Sequence, residues 1–175
     1  TFLSTSFAQP LWNLANKEKD VLVLSAWFTA NGVNELLTDK AGLDKAVNWC
    51  KENGITKVYL ESFGRGEYAK RELLIQAKNR FFNEKIDAQS GITPINFHKR
   101  SVGDGFNATC YTNKETQKEL QKMIEYTASI FDEIILDDWY FTECQCEECM
   151  EARGNQSWLK YYGDLMVEMS KERVM

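Results

Sequence analysis

Apolar residues occur along the chain in short runs that alternate with longer helical patterns, and this alternation predicts the order of its elements. Four runs predict buried strands, at residues 21–28, 55–63, 86–96 and 134–136. Apolar residues at helical spacing predict helices near residues 43–53, 73–82, 114–131 and 158–169. Gly54 is placed to end the first helix as a C′ glycine, and Pro94 indicates that the third strand ends early.

This repeated succession of strand and helix predicts an α/β fold built on a parallel sheet. The repeats are close to the ~30 residues of a βαβ unit, and right-handed crossovers place successive strands side by side. Four consecutive βα units can form an open flavodoxin-like sheet or the N-terminal half of a TIM-type (β/α)8 barrel. Residues 1–20 are a lead-in, and residues 21–175 form the α/β domain.

Two adjacent carboxylates, Asp137 and Asp138, follow the fourth predicted strand and are followed by Trp139, Tyr140 and Phe141. Loops leaving the carboxyl ends of parallel strands line the ligand crevice, so these side chains are placed for chemistry. Adjacent strand residues face opposite ways, so we expect one carboxylate to face the site and the other to contact a helix terminus or a neighbouring loop. The alternative role for the pair is a cap or a buried salt bridge.

Other candidates lie near the ends of the earlier strands. Glu61 is a further candidate carboxylate, and its alternative is an exposed position at the rim. Trp27, Trp139 and Tyr140 suit a sugar platform because apolar sugar faces stack on aromatic rings, although core packing explains such rings equally well. His98, the only histidine, lies in a long loop, where we expect a surface residue that reaches the rim of the site.

The most distinctive motif is Cys144-x-Cys146-x-x-Cys149. It supplies three sulfurs, whereas structural zinc takes four ligands. Cys110 is the best fourth ligand because it follows the third strand, and neighbouring carboxyl-end loops meet in space. Cys50 falls within a helix and is interpreted as a core residue. Disulfides or free thiols are the alternatives to a structural zinc, and export would favour disulfides. No other cofactor is required.

The composition and charge of the chain limit the kinds of molecule that it is expected to bind. The chain has 175 residues and a net charge of −5, without a cluster of Lys or Arg, which argues against binding to nucleic acid or an anionic membrane. No apolar run approaches the ~20 residues of a spanning helix. We therefore expect a neutral or uncharged polar ligand. Small residues at Ser6 and Ala8 resemble the end of a signal peptide, which favours a secreted or periplasmic protein.

The stretch from Ile134 to Leu165 resembles glycoside-hydrolase-like (β/α)8 barrels. Several such families, β-galactosidase-like ones among them, carry a cysteine cluster just after the fourth strand. The resemblance implies the half barrel rather than the open sheet, and it implies a catalytic acid at the end of that strand, Asp138 before Asp137. The partner carboxylate of these families usually lies on a later strand.

The resemblance implies a glycosidase that acts on a neutral glycan through strand-end carboxylates. Such enzymes place two carboxyl groups across the scissile bond, about 5 Å apart for retention and about 6.5–9.5 Å for inversion. A half barrel leaves two strand edges open, so self-association through them is expected. The alternative is a noncatalytic carbohydrate-binding or metal-stabilised α/β module, which would have no second acid opposite Asp138.

Overall fold

The computed structural model describes residues 8–95, 97 and 109–174. Its helices are α1 (Ala8–Lys17), α2 (Ala30–Leu36), α3 (Lys40–Glu52), α4 (Arg71–Asn83), α5 (Lys114–Ala128), α6 (Glu147–Arg153) and α7 (Trp158–Met169). Its strands are β1 (Ser25–Phe28), β2 (Lys57–Gly64), β3 (Glu67–Tyr68), β4 (Asp87–Thr93) and β5 (Ile134–Leu136). A π-helical turn, Ser170–Val174, follows α7. Among the described helices, none has the length and apolar character needed to cross a membrane.

The strands stand in one sheet in the order β1-β2-β4-β5, and β3 pairs with β2. β1 and β2 are parallel, with Trp27 opposite Tyr59. Positive φ angles at Arg65 (54°) and Gly66 (87°) form the tight turn between β2 and β3, as in a type I′ hairpin. Strands alternate with helices as the hydrophobic pattern predicts, so the α/β class is confirmed.

Among the described residues, 8–62 and 68–91 form one compact unit. Its core contains apolar side chains from β2, α3 and α4, all at most 2% exposed: Leu43, Val47, Cys50, Val58, Leu60, Leu74, Ala77 and Phe81. Asp39 caps α3 by accepting a 2.8 Å hydrogen bond from the Gly42 N–H. Gly54, with φ of 65°, follows the C-cap of α3, so the predicted C′ glycine is confirmed.

The described residues 63–67, 92–95, 97 and 109–174 form the second compact unit. Asn113 caps α5, and the apolar face of that helix packs into the core as its periodicity predicts. The core of this unit is formed by buried side chains from the end of β4, the segment before α5, α5 itself, the cysteine segment and α7: Ile92, Tyr111, Leu120, Met123, Cys144, Cys149, Leu165 and Met169. The unit therefore surrounds the cysteines with apolar groups.

The prediction of a buried strand over Val21–Leu24 is wrong. β1 begins only at Ser25, and the four residues before it are 83%, 64%, 46% and 42% exposed. β1 is an edge strand of this sheet, so a neighbour lies on one side of it only. An apolar run predicts a segment that can be buried, but burial also requires another element to cover it.

Three helices were not predicted. α1 lies within the expected lead-in, α2 lies in an expected loop, and α6 begins inside the cysteine run. α2 and α6 are short, with seven residues each, so apolar periodicity has little room to develop. The side chain of Thr29 accepts a 3.0 Å hydrogen bond from Gly32 N–H, which is the N-cap signal for α2. The early end of the third strand is confirmed, because β4 stops at Thr93, just before Pro94.

Candidate functional site

Asp137 lies immediately after β5, where its backbone and side chain are both fixed. Its N–H donates to the Ile92 carbonyl of β4 at 3.2 Å, which continues the strand pairing. Its side-chain Oδ2 accepts a 2.6 Å hydrogen bond from Thr93 Oγ1, and Oδ1 accepts a 3.0 Å bond from the Trp139 N–H. The two strand ends therefore meet at this carboxylate, as the topology predicts.

Partial burial raises the pKa of Asp137, and the adjacent negative charge of Asp138 adds to the rise. The hydrogen bonds from Thr93 and from the Trp139 N–H act in the opposite direction, because they stabilise the carboxylate form. The balance still favours the protonated form relative to an exposed aspartate. A half-buried carboxyl group with a raised pKa is suited to exchange a proton with a bound molecule.

The residues that follow Asp137 differ in their exposure to solvent. Asp138 is exposed and lies in a turn. Trp139 and Phe141 are half-buried, and their rings stack with centroids 6.1 Å apart and planes 26° from parallel. Tyr140 packs edge-on against the buried Tyr111 ring at 5.6 Å, so it contributes to the core rather than presenting a free ring face. Of the two carboxylates, Asp137 is the one that contacts a neighbouring strand end, at Thr93; that one of the pair faces a ligand site stays a prediction.

Glu61 of the first unit is buried, at 5% exposure, so its alternative placement as an exposed rim carboxylate is wrong. Its Oε2 accepts a 2.6 Å hydrogen bond from the N–H of Ala30, the first residue of α2. A carboxylate at a helix N-terminus satisfies a backbone donor and interacts favourably with the helix dipole. Glu61 therefore has a structural task in linking β2 to α2.

Trp27 of β1 extends its indole towards β4, where Gly91 makes room for it. A Cβ atom at Gly91 would lie 1.8 Å from Cη2 of the indole, closer than any real contact. The ring is also 6.0 Å from the Tyr59 ring, and Trp27 remains 37% exposed. Within the first unit, this arrangement leaves a partly exposed aromatic surface of the kind predicted from the sequence.

Cys110, Cys144, Cys146 and Cys149 form one cluster in the second unit, with all four sulfurs within 4.8 Å of one another. The sulfur of Cys110 is 3.8 Å from that of Cys146 and 3.7 Å from that of Cys149, and the last two are 3.6 Å apart. These separations exceed the ~2.05 Å of a disulfide bond. The predicted partnership of Cys110 with the motif is confirmed, and Cys50 is a separate buried thiol of α3, as expected.

The pKa values of three thiols of the cluster, Cys110, Cys146 and Cys149, are shifted in different directions. Burial raises the pKa of Cys149 to about 12 and raises that of Cys110. Cys146 is less buried, and hydrogen bonds from the Cys149 N–H and from neighbouring thiols outweigh its burial, lowering its pKa to about 7. When a cation binds to such a cluster, its sulfurs coordinate the cation as thiolates and the displaced protons pass to solvent.

Several residues of the site escaped prediction, and one predicted residue cannot be placed. Thr93 holds Asp137, and its position just before Pro94 at a strand end was the available signal. Thr112 contacts Cys149, Tyr161 contacts Thr112, and no sequence spacing indicates either contact. His98 lies outside the described residues.

Comparison with known proteins identifies relatives of the chain. A family model described as "Probable glycosyl hydrolase, catalytic domain" matches residues 9–175. The chain is also 23% identical over 151 residues to "Uncharacterized protein SSO3021" of Saccharolobus solfataricus. That match covers 84% of this chain and 24% of the relative, so the chain spans about a quarter of the relative's length.

Proposed function

We propose that this chain, which belongs to the family of probable glycosyl hydrolase catalytic domains, contributes a carboxylate to a glycosidase that acts on a neutral glycan. The observation that carries the proposal is the fixed position of Asp137 at the carboxyl end of β5, bonded to Thr93. Glycosidases use one protonated and one ionised carboxyl group. The net charge of −5 supports an uncharged rather than an anionic glycan.

Asp137 is proposed as the general acid. Its raised pKa keeps a proton available nearer to neutral pH than an exposed aspartate does, and its two hydrogen bonds fix the direction in which the carboxyl group points. The resemblance of the sequence placed Asp138 first. The hydrogen bonds of Asp137 support the reverse order, with Asp138 as the exposed alternative.

The aromatic residues near the strand ends are proposed to bind sugar rings. Trp139 and Phe141 stack beside Asp137 and are half-buried, so they combine a fixed position with accessible ring surface. Trp27 offers a similar surface in the first unit. Tyr140 is the weakest of the predicted platform residues because it packs on Tyr111.

The sheet is proposed to be the first half of a (β/α)8 barrel. The sequential order β1-β2-β4-β5 supports this, because a flavodoxin-like sheet follows the order 2-1-3-4-5, with the first strand inside the sheet. The exposed apolar run Val21–Leu24 before β1 is the kind of surface that a further strand would cover, and it also supports the expected self-association of the isolated chain.

The four-cysteine cluster is proposed to hold a structural zinc ion. In a tetrahedral site with Zn–S distances of about 2.3 Å, neighbouring sulfurs are about 3.8 Å apart. Three sulfur pairs are separated by 3.6–3.8 Å, so the donor set fits such an ion. The ion would join the segment after β4 to the segment after β5. The ion would stabilise the fold. In this proposal only the carboxyl groups transfer protons.

Substitution in the intact protein tests the catalytic assignment. Asp137→Asn should lower turnover of aryl glycosides by about 10²–10⁴, because general acids contribute about this much, while circular dichroism shows that the fold is retained. Asp138→Asn tests the alternative carboxylate. Asp132→Asn is the matched control, an exposed aspartate shortly before β5, and should keep full turnover.

The outcomes separate the candidate functions. Full turnover in Asp137→Asn, with a loss in Asp138→Asn, would transfer the role to Asp138. Glycan binding without turnover in the unsubstituted protein would favour the noncatalytic carbohydrate-binding module. Loss of fold without metal, and no interaction with glycans, would leave only the metal-stabilised module.

A further inference from the structure

Two hydroxyl groups and one sulfur of the cysteine cluster are connected by two successive short contacts. Thr112 Oγ1 is 2.9 Å from Cys149 Sγ and 2.7 Å from Tyr161 Oη. Thr112 immediately precedes Asn113, the N-cap of α5, while Cys149 lies in α6 and Tyr161 in the first turn of α7. Three separate elements thus bring these groups together, and a local turn does not explain the contact.

The count of protons sets the direction of these hydrogen bonds. A threonine hydroxyl has one proton, so it donates to one of its two partners and accepts from the other. A thiolate only accepts. If Cys149 is ionised, Tyr161 must donate to Thr112 and Thr112 must donate to the sulfur, so that all three groups are satisfied in one direction.

We propose that Thr112 and Tyr161 form a hydroxyl relay that positions Cys149 as a thiolate ligand of the metal ion. This inference rests on the proposed metal site. Four thiolates around one Zn²⁺ carry a net charge of −2, and Cys149 is only 1% exposed. Buried charge of this kind requires hydrogen-bond donors in place of water. Groups that donate to metal ligands typically change metal affinity by about 10–100-fold.

The experiment measures zinc affinity in the intact protein by competition with a chromophoric chelator, together with the absorption spectrum of bound Co²⁺. Thr112→Val keeps the shape of the side chain and removes the donor, so the Kd for Zn²⁺ should rise by about 10–100-fold. Thr112→Ser should restore affinity. Tyr161→Phe should weaken binding less, and it should have no further effect in Thr112→Val, because Tyr161 acts through Thr112.

Thr127→Val is the matched control. Thr127 is a fully buried threonine of the same unit, and its hydroxyl donates to the Met123 carbonyl within α5. This substitution should leave the Kd and the Co²⁺ spectrum unchanged. Circular dichroism of each variant establishes that it is folded, and Tyr161→Phe supplies the test if Thr112→Val does not fold.

The failure of the relay can be told apart from the failure of the metal site. Zinc binding by the unsubstituted protein with an unchanged Kd in Thr112→Val would overturn the relay and leave the metal site standing. Equal weakening in Thr127→Val would also overturn it. Absence of zinc binding in the unsubstituted protein, with two or more of the cluster sulfurs oxidised to disulfides, would overturn both.

Discussion

Gly91→Ala is expected to destabilise the protein because the indole of Trp27 occupies the space where the new methyl group would lie. The added Cβ would be 1.8 Å from Cη2, 2.3 Å from Cζ2 and 2.4 Å from Cζ3. The indole must therefore move by at least about 1.7 Å, the difference between 1.8 Å and a normal carbon contact of about 3.5 Å. The end of a flexible side chain could move away from the new methyl group at little energetic cost. The indole is rigid and must move as a whole.

The magnitude follows from the cost of overpacking. Such substitutions typically lower the free energy of unfolding by about 1–3 kcal/mol. For a chain of this size, each kcal/mol lowers Tm by about 2–4 °C. Where space exists and the backbone is permissive, Gly→Ala instead stabilises by about 0.4–1 kcal/mol. The sign of the change in the free energy of unfolding therefore shows whether the Trp27 ring lies over Gly91.

Thermal denaturation of a double-mutant cycle is the assay. In the Trp27→Ala background, Gly91→Ala should be neutral or stabilising, because the methyl group then enters the space left by the indole. The coupling between the two positions should be about 1–3 kcal/mol, as expected for residues in direct contact. Gly163→Ala in α7 is the control, since nothing lies within 4 Å of its added Cβ, and it should stabilise.

An equal loss of stability from Gly91→Ala in both backgrounds would refute the reasoning. The penalty would then come from the strand backbone or from another neighbour, and Trp27 would not lie over Gly91. The platform proposed for Trp27 would lose its structural basis in the same experiment.

Three further predictions concern single positions. Tyr111→Phe should change the urea-measured free energy of unfolding by less than ~1 kcal/mol, because Thr109 offers its buried hydroxyl only a weak interaction among the described residues; a larger loss would contradict this. The raised pKa of Asp137 means that the fold binds this proton more tightly than the unfolded chain does. The protonated Asp137 therefore stabilises the fold below the pKa of the unfolded chain, about 3.9, and this stabilisation is lost as pH rises through the raised pKa of the folded state. Asp137→Asn should remove this pH dependence from a plot of Tm against pH. A plot that the substitution leaves unchanged would contradict the prediction. Val21→Thr, at a position 83% exposed, should change the free energy of unfolding by less than ~0.5 kcal/mol in thermal denaturation. Val58→Thr, at a fully buried position, should lower it by ~1–3 kcal/mol. Equal losses would contradict the exposed placement of residues 21–24.

The order of elements and the meeting of strand ends were predictable from the sequence. Period-two and apolar runs mark strands, helical spacing marks helices, and parallel strands bring their carboxyl ends to one edge. The same reasoning correctly chose Cys110 as the partner of Cys144, Cys146 and Cys149, because its segment follows the strand next to theirs. These features depend on local pattern and on topology, both of which a sequence contains.

Features that depend on particular side chains meeting across the fold were not predictable. Gly91 looks like an interruption of a strand, and only the position of the Trp27 ring explains it. Glu61 looks like a rim carboxylate, yet it accepts a hydrogen bond from the start of α2, a helix too short to be recognised. In each case the deciding partner is more than 30 positions away in the chain.

The Thr93–Asp137 hydrogen bond joins the ends of β4 and β5, and the cysteine cluster is among the contacts that join the segments after them. Closing the first contact alone spans 44 positions. With the sulfurs already held together, the ring shortens to about 26 positions, 17 from Thr93 to Cys110 and 9 from Asp137 to Cys146. Loop-closure entropy then favours the contact by only about 0.5 kcal/mol, whereas each hydrogen bond to the carboxyl group contributes about 0.5–1.5 kcal/mol, and more when the group is ionised. The hydrogen bonds from Thr93 and from the Trp139 N–H, rather than a metal ion at the cysteines, therefore mainly determine where the Asp137 carboxyl group points.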